Sequence, residues 1–226
     1  MLQKRLQQEL SSDSMDIFSF LQRCKDPDTA EGLSPMEIST ETATFIVAGS
    51  DTTSTAMAAL AHYLAWSPRC YKRAVEEVRT AFSSADEIAF GPKLNSCHFL
   101  RACLDEALRA TPPGGGPLWR VVEPGGATIN GEYLPAGCEV GAGIYAMHHS
   151  PQNWSCAATY MPERWLEKNR NENGNTVKGE TRQSYFPLNI GPRSCISKQL
   201  TLTQGILTFA HIPWKFDLCR ADTSEG

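Results

Sequence analysis

The chain has 226 residues, a formal net charge of −4 and 41% apolar residues, which suits one domain, or a large piece of one, with a real core. No basic block marks a nucleic-acid footprint, no apolar run reaches membrane-spanning length, and the start (Met1-Leu2-Gln3-Lys4-Arg5-Leu6) lacks a signal-peptide core. The eight cysteines are scattered without a CxxC pair, which predicts reduced thiols in a cytosol-facing protein and disfavours a disulfide framework or a zinc site.

Residues 1–23 read as short amphipathic helices with apolar Ile17, Phe18, Phe20 and Leu21, and 24–33 as a polar loop. Ser34-Pro35-Met36-Glu37 is a helix start, with an N-cap serine, proline at the first helical position and a glutamate that completes a capping box. The helix it opens runs to Trp66, where Ser67-Pro68 stops it and starts another over about 68–82. It is long, rich in Ala and Thr and poor in charge, as in a helix that crosses the middle of a globular protein. Its centre, Ala48-Gly49-Ser50-Asp51-Thr52-Thr53, gathers weak helix formers. The segment is either a break between two helices or a bent groove in which an acid–alcohol pair, Asp51 and Thr52, faces a ligand.

A further helix is expected over 96–110, with Phe99, Leu100, Cys103, Leu104, Ala107 and Leu108 on its apolar face. Glu106 and Arg109, three apart, are neighbours on one surface; taken alone they read as a solvated ion pair worth little. Asn130-Gly131 between Ala127-Thr128-Ile129 and Glu132-Tyr133-Leu134 signals a two-residue hairpin. A strand is expected over about 138–145, then mostly loop over 150–185, holding Met161-Pro162-Glu163-Arg164-Trp165 and a polar insertion near 171–179. His148 and His149 invite a metal reading, but adjacent residues point in different directions and no third ligand is near, so they read as structural.

The last informative segment is Phe186-Pro187-Leu188-Asn189-Ile190-Gly191-Pro192-Arg193-Ser194-Cys195-Ile196-Ser197. Gly191-Pro192 bends the backbone, and Cys195 stands before a helix-like run over 198–209, with Pro213 near its end and shortening it. Such a turn can aim amide N–H groups at the sulfur while the helix N-terminus adds positive potential, and both favour thiolate. Alone, the segment is either a free cysteine in a turn or the ligand of one soft or borderline metal, with haem iron the leading candidate.

Taken together and in this order, over about 14–218, these segments resemble the C-terminal half of a cytochrome P-450, a haem-thiolate monooxygenase, of the eukaryotic, fungal-like kind. The resemblance implies a mainly α fold with a small β-sheet, here as one partial domain over 1–226 with its central helix at about 35–66 and its ligand loop at about 186–197. It implies that Cys195 is the axial ligand of haem b, and that Arg193 and Arg120 pair with the haem propionates beside Gly191 of the same cofactor-binding loop. It makes Asp51 and Thr52 the oxygen-activation groove and proton relay, and Glu106, Arg109 and Arg164 a structural charge triad. The implied reaction is oxidation of a lipophilic small molecule with O2, in specialised metabolism, with electrons from NADPH through a separate cytochrome reductase. The family works at the endoplasmic-reticulum membrane, whereas this chain carries no transmembrane anchor; nucleic acid is not an expected partner.

Three departures accompany the resemblance. Family members are longer, so an N-terminal anchor, the early helices, the first sheet, a substrate lid, a second haem-gripping helix and a last hairpin after Trp214-Lys215-Phe216-Asp217 are expected outside this chain. Leu188 stands where the family usually has phenylalanine, and Ser197 where it usually has glycine. A truncated, incompetent remnant is therefore a rival for the isolated chain. A haem-thiolate isomerase or dehydratase is a second rival, disfavoured by Asp51-Thr52. A helical scaffold without cofactor gives no reason for the Gly-Pro-Arg-Ser-Cys turn.

Overall fold

The fold was described from a computed structural model covering residues 16–166 and 182–220; the expected polar insertion near 171–179 lies outside the described residues. Up to Asp51 the chain forms one compact unit, and from Thr52 onward a second.

In the first unit, helix α1 (Ile17–Arg23) is capped by Asp16, whose carboxylate accepts the Ser19 N–H at 2.8 Å. The following loop turns on Asp26, whose Oδ1 accepts the N–H groups of Asp28 and Thr29, a local bond that replaces ladder or helix pairing. Helix α2 (Pro35–Trp66) begins in this unit with the expected capping box. Glu37 Oε2 accepts the Ser34 N–H at 2.8 Å, and Ser34 Oγ accepts the Glu37 N–H at 3.3 Å. The hydroxyls of Thr40, Thr42 and Thr44 donate to the carbonyls of Met36, Ile38 and Thr40, so this polar tract satisfies itself within the helix. Through Ala48–Thr53 the helix does not break. Propensity is a weak prior, and the later part of α2 is held by burial of Ala56, Ala59, Leu60 and Leu64 at helical spacing.

The second unit packs that stretch of α2 with α3 (Pro68–Ala81), α4 (Pro92–Asn95), α5 (His98–Ala110) and α7 (Lys198–Lys215). Leu60 and Leu64, Ala74 and Val78, Leu100, Cys103 and Ala107, and Leu202, Ile206 and Phe209 form one buried apolar cluster. Gly205 lets α7 close onto α5: a Cβ there would lie 3.1 Å from Leu104 Cδ2. Helix α5 starts two residues later than expected, because Ser96 ends α4. Its N-terminus is held from a neighbouring helix. Both oxygens of Glu77 on α3 accept, one from Phe99 N–H and one from Leu100 N–H, each at 2.8 Å, which satisfies two of the first-turn donors.

Two small antiparallel sheets follow. Strand β1 (Arg120–Val121) pairs with β4 (Glu139–Val140), and β2 (Ala127–Ile129) with β3 (Glu132–Leu134) in the register Thr128 to Tyr133. Asn130 and Gly131 both take positive φ, 51° and 87°, as a type I′ turn requires. The strand expected over 138–145 ends at Val140, and Ile144–His149 is helix α6. Gly141 marks the change: a Cβ there would stand 3.1 Å from Pro117 Cβ and 3.2 Å from the Trp119 ring, so the backbone passes too close for a side chain. The loop expected beyond it contains 3-10 turns at Pro162–Trp165 and Arg182–Ser184.

Helix α7 is longer than the sequence suggests, running through Pro213 to Lys215. Proline removes one N–H and leaves its neighbours free to bond. Phe216 N–H donates to Ile212 O at 2.8 Å, and Arg79 Nη2 donates to Pro213 O at 2.8 Å. Pro213 is buried, so the last turn is retained by packing. All eight cysteines are free thiols. No helix among the described residues is long and apolar enough to cross a membrane.

Candidate functional site

The loop 186–197 is built by its own backbone. Asn189 N–H donates to Phe186 O at 3.0 Å, Ser194 N–H to Gly191 O at 3.0 Å, and Cys195 N–H to Leu188 O at 2.8 Å. Asn189 and Gly191 take positive φ, 59° and 75°. Nothing lies within 4 Å of a Cβ added at Gly191, so glycine is required there by the dihedral.

Cys195 is half-buried at the end of this loop. No backbone amide among the described residues donates to its sulfur, contrary to the expectation for such a turn. The amides of Ser194 and Cys195 are committed to loop carbonyls, and Lys198 N–H donates to Cys195 O at 3.3 Å. The sulfur's hydrogen-bonding partner is Ser197 Oγ, at 3.3 Å.

Thr52, Ala56, Leu108, Ile144, Leu188 and Cys195 line a cavity of about 230 Å³, with Arg193 at its edge. Leu118, Ile144, Asn189 and Arg193 are shared with an adjoining cavity of about 610 Å³ that also includes Arg120. Thr52, Cys195 and Arg193 thus line one cavity, and Arg193 also lines the adjoining one with Arg120. Arg120 Nη1 donates to the Trp119 carbonyl at 2.8 Å, while the Arg193 guanidinium makes no hydrogen bond or ion pair among the described residues. Asp51, an exposed residue of the first unit, has Ser50 Oγ 3.4 Å from its Oδ1.

Haem is a flat apolar ring with two carboxylates on one edge and an iron that takes an axial ligand. The cavity offers an apolar lining, a cysteine and Arg193, and the adjoining cavity adds Arg120. These residues fit that group.

Glu106, Arg109 and Arg164 lie away from this cavity and are brought together in full burial. Arg109 Nη2 donates to Glu106 Oε1 at 2.9 Å and Nε to Oε2 at 3.1 Å. Arg164 Nε lies 3.1 Å from Oε1 and 3.0 Å from Oε2. The same carboxylate accepts the Met161 N–H at 3.0 Å and Trp165 Nε1 at 2.9 Å. The guanidiniums reach onward to carbonyls: Arg109 to His148 and Ala157, Arg164 to Ser155. This is not the solvated pair that spacing alone suggested. It is a satisfied buried network that ties α5 to the 3-10 turn Pro162–Trp165 and to α6.

His148 is the residue the sequence undervalued. It is fully buried, and Nε2 accepts the Phe186 N–H at 3.1 Å, so it fixes the first residue of the cysteine loop. Its ring stacks on Tyr185 and meets Trp154 and Phe186 edge-on. Burial pushes its pKa down to about 4, which keeps the acceptor nitrogen unprotonated. No local pattern announces this role, because its hydrogen-bond partners, Phe186 and Arg109, are both more than thirty residues away. The Glu77 partners, Phe99 and Leu100, are likewise distant in sequence. Ser197 was visible as an unusual residue, but only its distance from the sulfur shows what it does.

Comparison with known proteins follows the same line. A family model for Cytochrome P450 matches residues 1–223. The chain is 55% identical over 210 residues to the cytochrome P450 monooxygenase lcsN of Purpureocillium lilacinum, covering 92% of this chain and 62% of that protein. It is 43% identical to poxM of Penicillium oxalicum, over 96% of this chain and 41% of the relative, and 46% identical to apf8 of Gibberella fujikuroi, over 89% and 54%; both are also named cytochrome P450 monooxygenases. A crystal structure of a cytochrome P450 (CYP102L1) superposes with a TM-score of 0.78 at 25% identity, over 94% of this chain and 46% of that one. The chain spans about half the length of the curated relatives it matches. With a helical fold of this type built around a cysteine loop, and a family match along nearly its whole length, the chain belongs to the cytochrome P450 family.

Proposed function

We propose that this chain forms the iron-ligating part of a haem-thiolate monooxygenase that oxidises a lipophilic small molecule with O2. The observation that supports it most is that Cys195 and Thr52 line one cavity, with Arg193 shared between it and the adjoining cavity that Arg120 lines. In this reading 1–226 is one partial domain of a larger enzyme, of the specialised-metabolism kind, facing the cytosol. A separate reductase supplies electrons from NADPH.

When bound, haem supplies oxygen activation, which an axial thiolate promotes by pushing electron density onto the iron. Cys195 provides the thiolate from a loop whose shape is set by three internal backbone bonds and by His148. Leu108, Ile144, Ala56 and Leu188 exclude water from the ring face. Arg193 and Arg120 offer charge-assisted hydrogen bonds to two carboxylates. Thr52 lines the same cavity, and its hydroxyl is the proposed holder of a water that passes a proton, with Asp51, the preceding residue, as the proposed acid of that relay. A haem-thiolate isomerase or dehydratase needs no such relay, so the hydroxyl at Thr52 favours the oxygenase.

The test is haem reconstitution followed by reduction and carbon monoxide. The strongly red-shifted Soret band of thiolate ligation is expected, and is expected to vanish in Cys195→Ala. A band like that of histidine-ligated haem, or persistence of the thiolate band in Cys195→Ala, rejects Cys195 as ligand. A chain that takes up no haem supports the incompetent-remnant reading.

A further inference from the structure

The cysteine sulfur has one hydrogen-bonding partner among the described residues, and it is a side chain. Ser197 Oγ lies 3.3 Å from Cys195 Sγ. Ser197 also occupies the N-cap position of α7, where a serine hydroxyl ordinarily accepts an N–H of the first turn. Here no side-chain cap bond forms, although the backbone carbonyl of Ser197 accepts the Thr201 N–H at 2.9 Å. The hydroxyl has left the helix end and turned to the sulfur. The amides of Ser194 and Cys195 bond within the loop and that of Lys198 bonds the Cys195 carbonyl.

We propose that Ser197 is a positioning and tuning residue for the axial ligand, donating its hydroxyl hydrogen to the Cys195 sulfur. The inference rests on the reading of Cys195 as iron ligand. A sulfur bound to iron carries no proton, so of the two atoms only Oγ can be the donor. A hydrogen bond to the sulfur draws charge away from the iron and favours the reduced state, as hydrogen bonds to ligating sulfurs generally do. Leu188, whose carbonyl holds the Cys195 amide, lines the cavity beside the sulfur without offering a donor. Ser197 Oγ is the side-chain donor within reach of the sulfur.

The experiment compares wild type, Ser197→Ala and Ser197→Thr, each loaded with haem. The readouts are the ferric/ferrous reduction potential and the iron–sulfur stretching frequency. Ser197→Ala is expected to shift the potential to more negative values and raise the stretching frequency, while Ser197→Thr stays with wild type because it retains the hydroxyl. A second measurement needs no haem. Alkylation of Cys195 in the metal-free chain is read by mass spectrometry on the tryptic peptide 194–198. The thiolate is the reacting form, so losing a donor to it slows alkylation. Unchanged potential or unchanged alkylation in Ser197→Ala overturns the proposal, as does an equal shift in both variants, which would mark a packing effect. If Cys195→Ala keeps the thiolate-type carbon monoxide band, it is the ligand assignment that fails.

Discussion

Replacing Glu106 with alanine tests the buried network most directly. The carboxylate accepts from two guanidiniums, from the Met161 amide and from Trp165 Nε1, all between 2.9 and 3.1 Å. Side-chain exposure is 0% for Glu106 and Arg109 and 1% for Arg164, so water does not reach in to replace the lost oxygens. Removing one partner of a buried ion pair costs about 3–5 kcal/mol, and each neutral donor left without a partner adds about 1–3 kcal/mol. The expected loss is at least about 5 kcal/mol, the lower end of the total stability of an ordinary domain at about 5–15 kcal/mol. The assay is urea unfolding followed by tryptophan fluorescence, since Trp154 and Trp165 sit in the network. Glu106→Ala is expected to lose the cooperative transition, and Glu106→Gln to retain part of it. The control is Arg101→Ala on the same helix, which removes a half-exposed i,i+4 pair with Asp105 and costs less than about 1 kcal/mol. If Glu106→Ala moves the urea midpoint no more than Arg101→Ala, the network is not what holds α5 to the 3-10 turn.

Three further outcomes are expected. His148 is held neutral in the fold with a pKa of about 4, below the value of about 6.5 in an unfolded chain; between these the unfolded state binds more protons, so stability falls as pH drops from about 6.5 toward 4, by on the order of 2–3 kcal/mol. Thermal melts across that range are expected to show this slope in wild type and a flatter one in His148→Gln; equal slopes would exclude His148 as its source. Gly205→Val drives a branched side chain against Leu104, where a Cβ already stands at 3.1 Å, and is expected to cost about 1–3 kcal/mol by overpacking, read as a lowered Tm, with Gly205→Ala much milder. Thr52→Ala in the haem-loaded enzyme is expected to raise O2 consumption per product formed while leaving the carbon monoxide band in place; unchanged coupling refutes the proton-passing role.

What the sequence determined by itself is what short stretches of chain decide through their own bonds. Ser34 and Glu37 form their reciprocal cap because both groups lie within one turn, and Asn130-Gly131 makes its hairpin because those two residues tolerate positive φ. The order of the long helix, the Glu106–Arg109 pair and the cysteine loop was legible for the same reason. Tertiary structure decided everything that depends on water being excluded or on distant groups meeting. Glu106 and Arg109 are three apart in any helix, but burial against Arg164, Trp165 and four backbone carbonyls turns a weak surface pair into a fixed network. His148 became the acceptor for Phe186 only when α6 and the cysteine loop packed together. Helix α7 continues through Pro213 because Arg79, from another helix, bonds its carbonyl. The sulfur's partner, finally, was settled by the turn into α7, which brings the Ser197 hydroxyl to 3.3 Å from Cys195 Sγ.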